Sequence, residues 1–280
     1  KALELEVSRL QLTADARQSY RERRADLERQ YQELVEALGI YSDKTKEDIQ
    51  LVYRVIHRFG ESEVNVPREF VDEVLRYVER WRQDDQLAES IARANANGYG
   101  RRIAEIMLEY DMPPEFFYLA LQESAFNVDA VGPPTRFGFA KGMWQFIPGT
   151  GREYGLQPGP LVGRPRPDPL DERHDFDKST RAAAQYLHDL YTTDAQASGL
   201  LVIASYNWGQ TRVLRLIRSM PESPRERNFW NLLTQYRDQI PQETYGYVFR
   251  IVAAAVIGEN PGLFGFDFAP PLPASEDSPA

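Results

Sequence analysis

Apolar residues recur at three- and four-residue intervals along most of the chain, the spacing that lines one face of an α-helix. In the first forty residues, Leu3, Val7, Leu10 and Ala14 form one stripe, and Leu27, Tyr31, Leu34 and Leu38 form a second, in a densely charged background. Arg17, Arg21 and Arg24 fall where the first stripe would continue. The pattern therefore predicts a long exposed helix packing on something local, and not a persistent coiled coil. Such a helix serves either as a solvated linker or as a surface for a protein partner.

From Thr45 the pattern tightens. "VPREFVDEVLRYVERWR" opens on a proline suited to a first turn and sets Phe70, Val74, Tyr77, Val78 and Trp81 on one face. Further helices are predicted near 86–94 and 100–110, and then in "DMPPEFFYLALQESAF", which is apolar nearly all round and so belongs at the domain centre. Residues 131–173 are rich in Gly and Pro and read as loops with at most a small hairpin. Helical spacing returns in "DKSTRAAAQYLHDLYTTD", where Asp177 reads as an N-cap, and continues through "LLVIASYNW", "TRVLRLIRSM", "NFWNLLTQYRDQ" and "YGYVFRIVAAAVIG". The tail from Asp267 carries too little apolar surface to fold. The expected fold is mostly α: a charged helix over 1–44, a helical extension over 45–110, a central helical domain over 111–266 and a Pro-rich disordered tail over 267–280.

Against that pattern one residue is out of place. Glu123 ends the apolar run "FFYLALQESAFN", and at the end of a buried helix desolvation and the negative helix terminus both oppose its charge. A carboxyl kept protonated near neutral pH can serve as a general acid. A carboxylate held by an arginine or by backbone donors would instead be structural.

Composition narrows the chemistry. The chain has 280 residues and a net charge of -9, so it has no basic excess with which to bind a nucleic-acid backbone. It has no cysteine, which removes thiolate nucleophiles and disulfides, and its three histidines, His57, His174 and His188, lack the spacing of a metal site. No cofactor is expected. Neither a signal peptide nor a membrane-spanning run is recognisable, so location must follow from function.

Several segments in order resemble one family. "VPREFVDEVLRYVERW", "PPEFFYLALQESAFNVDAVG", "KGMWQFIPGTGREYGL", "DERHDFDKSTRAAAQYLHDLY", "ASYNWG" and "IPQETYGYV" resemble the lytic transglycosylases of the soluble and membrane-bound D type. Those enzymes share a lysozyme-like core with goose-type lysozymes. The resemblance covers roughly residues 65 to 258 and implies that 111–266 is a lysozyme-like transglycosylase domain. It also implies that Glu123 is the catalytic acid and that Ser124 lies on the cleft floor. Gln145, with the backbone near Met143, would face the sugar beside the cut bond. Tyr206 and Asn207 would line the cleft opposite Glu123, joined by Tyr247 and, less directly, Glu243.

Trp144, Phe146 and Ile147 read as core, and Trp208 either as a stacking face or as filling. After "AV" the family pattern continues with serine; here Gly132 stands there, and "PPTRFGFA" makes the segment longer by about three residues, which a loop absorbs cheaply.

Ordinary glycosidases use two carboxylates about 5 to 9.5 Å apart. Asp129 and Glu153 are the nearest acids in sequence, and nothing in the pattern aims either at the site. The resemblance implies a one-carboxylate reaction on peptidoglycan, with 1,6-anhydro-N-acetylmuramic acid as product, in the periplasm or cell envelope of a bacterium. A lysozyme-like hydrolase and a non-cutting peptidoglycan-binding scaffold are the alternatives.

Overall fold

The structure is a computed structural model and describes residues 14–42, 45–223 and 226–273. Leu3, Val7 and Leu10 of the first predicted stripe and the last residues of the Pro-rich tail lie outside these. Among the described residues the chain is mostly helical, with a single two-stranded sheet, in agreement with the expected class.

Helix α1 (Ala14–Ala37) is largely exposed and is anchored near its end by Val35, which is buried. Tyr31 and Tyr41 both donate hydroxyls to the buried Glu63, the latter at 3.0 Å, and the His57 ring lies against the same carboxylate at 3.1 Å. This convergence holds Glu63 below the usual carboxylate range against the opposing effect of its burial. The helix thus packs locally on its own chain.

Helices α2 (Glu47–Arg58), α3 (Arg68–Trp81), α4 (Gln86–Ala96) and α5 (Tyr99–Glu109) follow, each burying one face. α3 buries Phe70, Val74, Tyr77, Val78 and Trp81, the stripe set by the sequence. A single 3₁₀ turn at Pro114–Phe116 leads into α6 (Phe117–Ser124). After the loop region come α7 (Pro148–Glu153), α8 (Phe176–Tyr191), α9 (Gly199–Trp208), α10 (Gln210–Ser219), α11 (Phe229–Gln235) and α12 (Gln242–Glu259).

The core is built around α12. From Tyr247 to Gly258 every residue except Arg250 is buried, because α2, α3, α6 and α9 all lie against it. α6 and α9 are buried over Phe117–Leu121 and Gly199–Ser205 and surface only at their last turns. Helices apolar all round can lie only inside, and the residues at their emerging ends are the ones that meet solvent.

The helix start at 175 departs from expectation. Asp175, and not Asp177, caps α8 by accepting from the Lys178 N–H, because the helix begins at Phe176; Asp177 instead pairs with Arg102 at 2.8 Å. The segment after Asp267 also packs further than its composition predicts: Pro271 is buried and Phe268 and Leu272 lie against the core. Among the described residues no helix is long and apolar enough to cross a membrane.

Candidate active site

Three buried helices deliver their ends to one place. Glu123 sits on the last turn of α6, which closes on Ala125 and Phe126, both in the left-handed region with φ of 53° and 60°. Two such residues in succession reverse the chain sharply, so the carboxyl is left at the rim of the core. Glu123 keeps some solvent exposure while protein surrounds it on its other sides, the situation of a group on a cleft floor.

Tyr247, on the second turn of α12, donates its hydroxyl to Glu123 Oε1. Burial raises the Glu123 carboxyl to about 7, and the Tyr247 bond opposes that rise. The end of α6 acts in the same direction as burial, since a helix C-terminus disfavours negative charge. Among the described residues no arginine holds the group and no second carboxylate acts on it. Asp129 and Glu153 are both exposed.

Tyr206, near the end of α9, gives its hydroxyl to the Trp144 carbonyl at 2.8 Å. Burial and then the Glu123 charge raise its pKa well above the ordinary phenol value, so it stays protonated. Its ring begins a row of three: Tyr206 to Tyr186 at 5.2 Å and Tyr186 to Tyr154 at 5.1 Å. Asn207 accepts from the Thr244 hydroxyl at 2.8 Å through Oδ1, which aims its Nδ2 donors away from Thr244.

The loop carrying Gln145 is fixed from several sides. Ser124 Oγ donates to the Met143 carbonyl at 2.8 Å, so this serine spends its proton on positioning the loop. Met143 and Trp144 are buried, and Trp144 Nε1 bonds Thr180 Oγ1 at 3.0 Å. Behind the loop, the buried Arg173 pairs with Asp171 through two bonds of 2.8 and 2.7 Å and donates Nη1 to the carbonyls of Phe139 and Phe146 at 2.8 and 2.9 Å. Gly142 has a φ of 80°, and a Cβ there would fall 1.7 Å from the Arg173 carbonyl oxygen, so only glycine fits.

Gln145 itself, at φ 50°, turns its carboxamide into the loop, donating Nε2 to the Gly142 carbonyl at 2.7 Å. A Cβ at residue 132 would lie 2.7 Å from Gln145 Oε1, so Gly132 supplies the space that this rotamer occupies.

The hairpin pairs β1 (Val131–Thr135) with β2 (Gly138–Lys141), with a register shift between Val131 and Pro134. Pro133 and Pro134 offer no N–H, which thins the ladder and confines β1 to an edge.

The structure therefore sets Tyr247 on Glu123 and Tyr206 within reach of its charge, joins Asn207 to α12 through Thr244, and places Ser124 and Met143 in the framework beside them. Glu243 stands apart, exposed on the first turn of α12. Thr244 was missed by the sequence reading although it shares a helical face with Tyr247 at an i, i+3 spacing, a signal that could have found it. Asp171 and Arg173 were also missed, since nothing in "DER" marks a buried pair.

Residues 103–229 match the Transglycosylase SLT domain. The chain is also 33% identical over 188 residues to the membrane-bound lytic murein transglycosylase D of Escherichia coli K12, and equally to that of Escherichia coli O6:H1. These alignments take in 66% of this chain and 36% of each relative, so the chain spans about a third of the length of the curated relatives it matches.

Proposed function

From the premise that the chain carries a transglycosylase SLT domain, we propose that it cleaves the β-1,4 bond between N-acetylmuramic acid and N-acetylglucosamine in peptidoglycan, leaving a 1,6-anhydro ring. Glu123 acts first as acid, protonating the glycosidic oxygen as the bond to C1 breaks. The resulting carboxylate then takes the proton of the muramic acid's own 6-hydroxyl, whose oxygen closes onto C1. The nucleophile is part of the substrate and arrives at high effective concentration, so no second carboxylate is required.

The observation that carries this reading is Glu123 itself: a carboxyl raised to about 7, held by one neutral phenol, with no acid beside it among the described residues. A group with that pKa is largely protonated in mild acid and still half protonated near neutrality, as proton donation to a poor leaving group requires. Tyr247 sets its orientation, and Asn207, aimed by Thr244, offers donors to the sugar. The action places the protein in the envelope of a bacterium, where its substrate is found. α1 is the surface through which a protein partner would join it.

Mass spectrometry of digested sacculi tests the proposal. Anhydromuramic ends are expected, and reducing ends would instead establish a hydrolase. Glu123→Gln should keep the fold and abolish release; full retained activity would refute the assignment.

A further inference from the structure

The tip of the hairpin sets an exposed aromatic ring beside a cation. Arg136 and Phe137 form the two-residue turn between the paired Thr135 and Gly138. Thr135 Oγ1 fastens the turn by donating to the Gly138 carbonyl at 2.6 Å and accepting from the Phe137 N–H at 3.1 Å. Phe137 is 57% exposed, one of the few large apolar side chains left in water. The Arg136 guanidinium lies over its ring, 4.6 Å from the centroid, and has no carboxylate partner among the described residues. In a chain of net charge -9 such a cation is conspicuous.

The root of the hairpin is rigid and belongs to the site. Lys141 is buried, with Nζ on the Leu161 carbonyl at 2.9 Å, and its backbone bridges to Phe146, the neighbour of Gln145. Arg173 holds the Phe139 carbonyl. At about 3.3 Å per residue the four steps from Val131 to Thr135 carry the tip up to about 13 Å along the strand, longer than one sugar ring.

We propose that Arg136 and Phe137 form an outlying subsite for a peptide-bearing sugar of the glycan strand, the ring against Phe137 and a carboxylate of the stem against Arg136. This rests on the reading of the substrate given above. A flat apolar face beside a fixed cation matches a sugar carrying an anionic peptide, whereas a bare glycan would use the ring alone. Arg136 and Phe137 are not among the side chains that act on Glu123, so they act on binding and leave the chemical step intact.

The test compares sacculi with the same glycan strands stripped of peptides by an amidase. For Arg136→Gln, KM on peptide-bearing strands should rise about three- to tenfold, with kcat and the anhydro product unchanged. That rise should fade in high salt and be absent on stripped strands. Phe137→Ala should raise KM on both. A doubly substituted protein with wild-type KM on peptide-bearing strands, or with equal losses from Arg136→Gln on both substrates, would overturn the subsite. Co-sedimentation with sacculi separates this from the catalytic reading: wild-type protein that pellets, and loses pelleting in the double variant, without releasing muropeptides would retain the subsite and remove the catalysis.

Discussion

Replacing Tyr247 by Phe removes one hydroxyl and nothing else from the neighbourhood of Glu123. That hydroxyl donates to Oε1, and it is the interaction that favours the charged carboxylate against burial. Hydrogen bonds to charged groups contribute about 1.5 to 3 kcal/mol, and 1.36 kcal/mol corresponds to one pH unit. Removing the bond destabilises the carboxylate relative to the acid, so the Glu123 carboxyl should rise from about 7 by roughly one to two pH units. A general acid works while protonated, so kcat/KM in the wild type should fall as pH rises through 7. In the variant that falling limb should move up by roughly one to two pH units, with activity at pH 8 depressed less, relative to pH 6, than in the wild type. Initial rates of muropeptide release from pH 5 to 9, in both proteins, measure it. A limb that stays in place or moves down would refute the view that burial and this phenol together set the proton affinity of the acid. So would a wild-type carboxyl that titrates in the ordinary range below 5, followed by NMR.

Glu61 is a second buried carboxyl raised to about 7, here by burial against bonds from Ser198 and the Leu200 N–H. Because its folded pKa exceeds the unfolded one, its contribution to stability is complete below about 4.5 and is lost as pH rises through 7, by at most about 3 kcal/mol. Wild-type melting temperature should therefore fall from pH 5 to 8, and Glu61→Gln should reduce that fall; an equal fall in both proteins would contradict it. Asp171→Ala leaves Arg173 buried and uncompensated, and should lower stability by about 3 to 5 kcal/mol in urea unfolding. It should also impair cleavage, since Arg173 holds the hairpin and the Gln145 loop together.

The helices were legible because their apolar pattern is strong: the buried stripe of α3 and the central burial of α6 follow directly from their residues. The place of Glu123 at the emerging end of a buried helix was legible for the complementary reason, being a charge that no periodicity explains, whereas its assignment as an acid rested on the family resemblance. What could not be read depends on distances between segments far apart in sequence. Tyr247 meets Glu123 across 124 positions, and Arg173 reaches Phe139 across 34. Gln145 illustrates a finer limit. Its rotamer is decided by the missing Cβ at Gly132, a space that exists only once the hairpin has closed. The cap of α8 was placed two residues late because both Asp175 and Asp177 have the right chemistry, and only the backbone at Asp175, extended with ψ of 120°, distinguishes them.

Two consecutive carbonyls, those of Met143 and Trp144, are each tied by a hydroxyl from a different helix, Ser124 on α6 and Tyr206 on α9. A strand of peptide pinned at adjacent units to separate supports can neither slide nor twist without breaking one tether. The spacing between the end of α6 that carries Glu123 and the segment leading to Gln145 is consequently fixed. Rigid sugar mimics that fit this spacing should associate with little loss of chain entropy, and wider ones should bind more weakly.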